Sequence, residues 1–138
     1  MTTYGSGAPL VMDTSAWNRQ RDPAVRGSWR DTTRAGLLAS CPVAALEIVA
    51  SARDESEFAE LEGVLASLPQ APVTASVCRA AMFASRALRG SRRLPSADYL
   101  IGAAAAERGF GVLHQDRHFD ILATVLGFES VRVDASTT

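Results

Sequence analysis

Leu10-Val11-Met12-Asp13-Thr14-Ser15-Ala16-Trp17 is the stretch that decides the fold of this chain. Three apolar residues in a row read as a short buried strand, and the acid and two hydroxyls that follow open a helix from about Thr14. The same unit recurs downstream. Leu37-Leu38-Ala39-Ser40-Cys41 reads as a second strand, and Pro42 fits the first turn of a helix that carries Glu47 and ends near Arg53. Gly111 to Gln115 reads as a strand, Arg117 to Leu126 as a helix closed by Gly127, and Ser130-Val131-Arg132-Val133 as a last strand. Between these units, helices are expected after Pro23, over Asp54 to Leu68, over Ser76 to Leu88 and from about Ser96 to Arg108, where Gly109 stops the last. An edge strand is expected over Ala71-Pro72-Val73-Thr74 and a loop over Gly90-Ser91-Arg92-Arg93-Leu94-Pro95. With no internal repeat and no linker, the alternation implies one α/β domain, a three-layer α/β/α sandwich whose mostly parallel central sheet carries helices on both faces. Residues 1–9 are expected to be a flexible segment, 10–133 the folded domain and 134–138 a loose tail.

At 138 residues and 47% hydrophobic content, the chain suffices for one domain burying about two-thirds of its unfolded surface. The N-terminus lacks a basic segment and an apolar core segment, and no apolar run approaches the roughly 18 residues of a membrane span. A soluble, cytoplasmic protein without a membrane partner is expected. The net charge of −1 supplies no global basic field for nucleic acid. All 14 cations are arginine, so lysine-dependent mechanisms are excluded. Cys41 and Cys78 lie in apolar stretches without metal-ligand spacing and are expected to be small buried hydrophobes.

Four acids stand out. Asp13 ends the first apolar run, Glu47 is the sole charge between Pro42 and Ala50, Asp98 opens Asp98-Tyr99-Leu100-Ile101-Gly102-Ala103-Ala104, and Asp116 closes Val112-Leu113-His114-Gln115. An ionised carboxylate in apolar surroundings costs several kcal/mol unless a cation or several donors compensate it. Brought together by the fold, the four make a divalent-metal site. In open α/β sheets ligands bind beyond the carboxyl ends of the strands, where Asp13 and Asp116 fall. The ordinary alternative for Asp13, Asp98 and Asp116 is helix capping or the helix dipole. For Glu47, well inside its helix, it is a buried ion pair. Arg86, Arg89 and Arg93, with Arg92 beside them, form either a phosphate-binding patch or a solvated face. Trp17 and Trp29 serve either the core or an apolar groove for a peptide.

Val11-Met12-Asp13-Thr14-Ser15-Ala16-Trp17 resembles the opening of the PIN-domain nucleases, in particular the VapC-type toxins of bacterial toxin–antitoxin pairs. Leu46-Glu47-Ile48 with Ser51-Ala52-Arg53 resembles the second acidic motif of that family. Leu94-Pro95-Ser96-Ala97-Asp98-Tyr99-Leu100-Ile101-Gly102-Ala103-Ala104 resembles the third, and Val112-Leu113-His114-Gln115-Asp116-Arg117-His118-Phe119-Asp120 the fourth. The four occur in the family's order over residues 10 to 133. The chain departs from the pattern at His114, where the family often has Thr or Ser, and at His118, where it often has a further Asp. Asp120, one helical turn after Asp116, either supplies that carboxylate instead or is an ordinary solvated acid in the first turn of its helix.

The resemblance implies hydrolysis of RNA phosphodiesters assisted by Mg²⁺, with Mn²⁺ as a substitute, since hard ions favour carboxylate and water oxygens. It assigns Asp13, Glu47, Asp98 and Asp116 to the metal, with Thr14 or Ser15 orienting a ligand or a phosphate, or simply capping the helix. It also implies a VapB-type antitoxin partner and a homodimer. Phosphoacceptor domains, which share an Asp after the first strand, are disfavoured: the receiver pattern requires a Lys, and the phosphatase pattern requires an acid where Ser15 stands. A degenerate PIN domain that binds RNA or a partner without cutting is the remaining alternative.

Overall fold

Residues 2–90 and 93–135 are described by a computed structural model. Strand β1 (Leu10–Met12) leads into a single helical turn, α1 (Thr14–Trp17), and then α2 (Pro23–Arg34). Strand β2 (Leu38–Ala39) is followed by α3 (Pro42–Ala50), α4 (Glu55–Ala66), α5 (Ala75–Leu88) and α6 (Ser96–Arg108). Strand β3 (Gly111–His114), α7 (His118–Leu126) and β4 (Ser130–Arg132) complete the order, with a 3₁₀ turn at Val133–Ala135. All pairings are parallel, in the order β2-β1-β3-β4, so β3 is inserted beside β1 although about 100 residues separate them. Every strand is short. Strands β1 to β3 are buried and read as largely apolar runs, which is why they are legible in the sequence, whereas β4 is half-buried.

Alternation along the strands separates two cores. Leu10, Met12, Leu38 and Leu113 pack with Val25 and Trp29 of α2, Leu65 of α4 and Tyr4. Val11, Ala39 and Val112 face the other way, onto Val77 and Ala84 of α5, Ile101 and Ala104 of α6, and Phe119 and Leu122 of α7. Helix α3 sits at the rim and contributes to both, through Ala44 on one side and Ile48 on the other. The three-layer expectation is met.

Several boundaries differ from the sequence reading. Helix α3 stops at Ala50, and Asp54 becomes the N-cap of α4, its side chain accepting from the Glu57 amide at 2.8 Å. Of the periodic apolar positions of α4, only Leu65 is fully buried, and Phe58 and Val64 are exposed, because the helix packs chiefly against α3 rather than across the sheet. The edge strand expected at 71–74 contracts to one parallel bridge between Ser40 and Gln70. Ala71 still donates to the Ser40 carbonyl at 2.8 Å, but Pro72 has no N–H with which to continue. Cys41 is buried as expected, whereas Cys78 is exposed on α5.

The segment before β1 is not loose. Tyr4 is 1% exposed, its hydroxyl donates to the Val133 carbonyl at 2.7 Å, and its backbone N–H donates to Thr32 Oγ1 at 3.0 Å. One aromatic ring thus ties the first residues to the last strand's exit. Val133 is itself buried, so the ordered part extends to the 3₁₀ turn, while 136–138 of the expected tail lie outside the described residues. Gly111 opens β3 where three strands crowd: a Cβ there would lie 2.6 Å from the Glu129 carbonyl oxygen and 2.7 Å from Leu10 Cδ2.

Candidate active site

The carboxyl ends of β1 and β3 place two acids side by side. Asp13 follows β1, and its N–H donates to the Leu113 carbonyl at 2.9 Å, extending the ladder by one bond. Its side chain caps α1: Oδ2 accepts from the Ser15 amide at 3.0 Å and from the Ser15 hydroxyl at 2.6 Å. The Ser15 oxygen accepts in turn from the Gln115 N–H at 2.9 Å, so one hydroxyl joins the exits of β1 and β3. Capping and site-building are therefore the same act at Asp13, and the cap uses one carboxylate oxygen of two.

Asp98 is not a cap. Helix α6 begins after Pro95 with no side-chain capping bond, and Asp98, in the first turn, is 8% exposed. Its Oδ2 lies 3.0 Å from Nδ1 of His118, and the same nitrogen lies 3.2 Å from Asp116 Oδ1. Asp116 Oδ1 also accepts the His118 N–H at 2.9 Å, which fixes the start of α7. Asp98, Asp116 and His118 each offer a ligand atom, all within 4.8 Å of one another. Burial is the main cause that pushes the Asp98 carboxyl up to about 6. The His118 hydrogen bond pulls the other way, and the charges of Asp13 and Asp116 push it further up.

Glu47 corrects the sequence argument. It is exposed, as is its neighbour Leu46 at 69%, because α3 lies at the rim, so neither a burial cost nor a buried ion pair applies. Its link to the cluster is Thr14, whose hydroxyl donates to Glu47 Oε1 at 3.3 Å next to Asp13 in the chain. Asp120 is also placed otherwise than expected. It accepts from the Ser130 hydroxyl at 2.7 Å, and Ser130 in turn meets Nε2 of fully buried His114 at 2.7 Å. His114 Nδ1 accepts the Asp116 N–H at 3.1 Å. With the Ser130 hydrogen directed at Asp120, Nε2 carries the ring hydrogen; burial chiefly lowers the His114 pKa and keeps the ring neutral. Asp120 thus anchors a chain of bonds that fixes the backbone of Asp116.

Sequence reasoning marked His118 and His114 only as departures from the family pattern, and gave no role to them, to Gln115 or to Ser130. His118 had a signal, two residues beyond Asp116 at a helix start. Gln115 and Ser130 act through backbone and hydroxyl bonds that only the tertiary pairing creates.

The donor set suits a hard divalent ion, being mainly carboxylate with a single imidazole nitrogen. An acid raised chiefly by burial and further by its acidic neighbours is also what a cation would relieve. Two consequences for pH follow. In the metal-free protein the folded state holds the Asp98 proton more tightly than the unfolded chain does, so stability falls as pH rises from about 4 to about 6, by up to about 3 kcal/mol. Below about pH 6 an entering ion must displace that proton, so apparent metal affinity should weaken about tenfold per pH unit. Calorimetric titration of the purified chain between pH 5 and 8 checks this, and a flat profile would count against Asp98 as a ligand.

Helix α5 ends at Leu88, and Gly90 turns the chain with φ of +84°, so Arg86, Arg89 and Arg93 share no continuous helical face. All three are exposed, and Arg89 and Arg93 line a cleft of about 790 Å³ that opens beside Ser96 and Tyr99 in the first turn of α6. Arg92 lies outside the described residues. Trp17 and Trp29 meet edge to face, 6.3 Å apart at 75°, and border a second cleft of about 330 Å³ with Met12, Val64 and Leu68.

Residues 10–125 match the family model of the PIN domain. Among individual proteins, the chain is 38% identical over 122 residues to Ribonuclease VapC51 of Mycobacterium tuberculosis, covering 85% of this chain and 87% of that one. It is 31% identical over 123 residues to Ribonuclease VapC18 of the same organism, covering 86% and 90%. The crystal structure of VapBC-5, a member of the VapBC family of toxin–antitoxin systems from Mycobacterium tuberculosis, superposes with a TM-score of 0.62 at 27% identity, over 91% of this chain and 98% of that one. Sequence motifs, parallel sheet order and acid placement thus lead to one family, and the chain belongs to the PIN-domain proteins, with VapC ribonucleases as its relatives.

Proposed function

We propose that this chain is the toxin of a toxin–antitoxin pair, a magnesium-dependent endoribonuclease for which manganese can substitute. The observation that carries the reading is the grouping of Asp98, Asp116 and His118, whose ligand atoms lie within 4.8 Å of one another, with Asp13 at the exit of the neighbouring strand β1. Relatives named ribonucleases and a neighbour from a toxin–antitoxin system support it. In this reading Asp13, Glu47, Asp98 and Asp116 would hold the ion, directly or through water, with Thr14 orienting Glu47. When bound, the ion supplies Lewis-acid polarisation of a phosphate oxygen and lowers the pKa of water. Ser15 keeps the Asp13 oxygen in place, and His114 keeps the Asp116 backbone in place. Arg89 and Arg93, which line the cleft, receive the flanking phosphates of the RNA.

The partner is a VapB-type antitoxin, and the working form is a homodimer in the cytoplasm. Among the described residues no helix is long and apolar enough to cross a membrane. The cleft flanked by Trp17 and Trp29 suits an apolar antitoxin segment, and a guanidinium from the same partner would neutralise the acids.

The test is incubation of the purified chain with cellular RNA in Mg²⁺, with and without excess EDTA, followed by mapping of the ends. Cleavage leaving 5′-phosphate and 3′-hydroxyl ends, abolished by EDTA, is expected. Undiminished cleavage in EDTA would sink the metal claim, and RNA retention without cleavage would establish the degenerate, binding-only alternative. Co-expression with the neighbouring small gene is expected to give a complex that no longer cuts; a neighbour that neither binds nor inhibits would refute the toxin assignment.

A further inference from the structure

We propose that His118 is a nitrogen ligand to the ion and raises the site's Mn²⁺-to-Mg²⁺ affinity ratio relative to that of an all-carboxylate site. The inference rests on the reading of the acid cluster as a metal site, and it concerns a position where the family often places a further acid.

His118 points inward through Nδ1, the ring nitrogen nearer the backbone, and that atom lies 3.0 Å from Asp98 Oδ2 and 3.2 Å from Asp116 Oδ1. The nitrogen and the two carboxylates therefore present three donor atoms within 4.8 Å of one another, a grouping that one ion could share. Its backbone is fixed as well, since the His118 N–H donates to Asp116 Oδ1 at 2.9 Å, so the ring is brought to the cluster by the same turn that positions Asp116. A neutral imidazole with its hydrogen on Nε2 presents the Nδ1 lone pair to the two carboxylates' side of the ring.

The two histidines of the chain divide the work. Both ring nitrogens of His114 are committed, one to the Asp116 N–H and the other to Ser130, and the residue is fully buried. Only His118 is left to supply nitrogen to the cluster. A site of carboxylates and one imidazole differs chemically from a site of carboxylates alone. Mg²⁺ takes oxygen almost exclusively and holds its water shell, whereas Mn²⁺ accepts an imidazole nitrogen without giving up carboxylates. Replacing an acid by histidine also removes one negative charge, which weakens the purely electrostatic attraction on which Mg²⁺ depends more heavily.

The experiment uses the full chain stripped of metal and then loaded with Mn²⁺ alone. Pulsed electron paramagnetic resonance should show coupling of the Mn²⁺ electron spin to ¹⁴N in the wild type, lost in His118→Asp and His118→Gln while Mn²⁺ remains bound. Calorimetry with each ion should show the Mn²⁺-to-Mg²⁺ affinity ratio falling by about tenfold or more in His118→Asp. Bound Mn²⁺ without nitrogen coupling in the wild type would overturn the proposal, and so would an unchanged ratio. The wild-type spectrum stands even if a variant fails to fold. Absence of Mn²⁺ binding in the wild type would overturn the proposal together with the metal site beneath it, whereas oxygen-only binding with RNA cleavage intact would overturn this proposal and leave the nuclease reading standing.

Discussion

Asp98→Asn is expected to lower RNA cleavage by a factor of about a hundred or more while leaving the metal-free domain folded and at least as stable at pH 7.5. The two halves of that expectation have one cause. Asp98 is nearly buried, and burial together with the charges of Asp13 and Asp116 opposes its ionisation, pushing it up to about 6. Above that pH the folded protein carries a charge it would rather not hold, and a neutral amide of the same shape relieves it. What the amide cannot do is contribute full negative charge to an ion. Loss of activity with unchanged or raised melting temperature therefore identifies a functional carboxylate, whereas an equal loss of stability would make Asp98 a structural residue. A fully active variant would refute the assignment outright.

The largest stability effect is expected at Gly111. An alanine there sets a methyl 2.6 Å from the Glu129 carbonyl and 2.7 Å from Leu10, and the nearer neighbour is backbone that cannot rotate away. Strand β3 would have to move relative to β1 and β4, so Gly111→Ala should cost about 3 kcal/mol and lower the melting temperature by roughly 10 °C. Gly63, in the interior of α4, is the control. A Cβ there meets nothing within 4 Å, and Gly63→Ala should stabilise by about 0.5–1 kcal/mol through helix propensity. Urea denaturation of both variants measures the difference, and equal midpoints would show that the strands are less closely spaced at Gly111 than described.

Strands β1 and β3 were legible because they are buried and therefore appear as Leu10-Val11-Met12 or Val112-Leu113, without the alternation that would make them ambiguous, whereas β4 is only half-buried. Helix starts were legible where proline or a capping acid marks them, as at Pro23 and Pro42. What eluded the sequence was set by tertiary position. Glu47 looked buried because its neighbours are apolar, yet α3 lies at a rim where Leu46 is exposed too. Tyr4 sits among glycines and polar residues, and its anchorage depends on Val133, far away in the chain. The candidate site divides along the same line. Its acids could be read from their places at strand ends, while the bonds that orient them, from Ser15 to Gln115 and from His114 to Ser130, join residues that become neighbours only when β3 is in place.

That central place of β3 also governs when activity can first exist. A chain still emerging from the ribosome with only its first hundred residues exposed has Asp13, Glu47 and Asp98, but β1 has an open edge and neither Asp116 nor His118 has arrived. Pairing of β1 with β3 closes a long loop and so comes late, after most of the helices have had the opportunity to form. The acid cluster is thus complete only once synthesis is complete: a truncated or stalled product lacks two of its members, whereas the cleft at Trp17 and Trp29 is formed from residues made earlier.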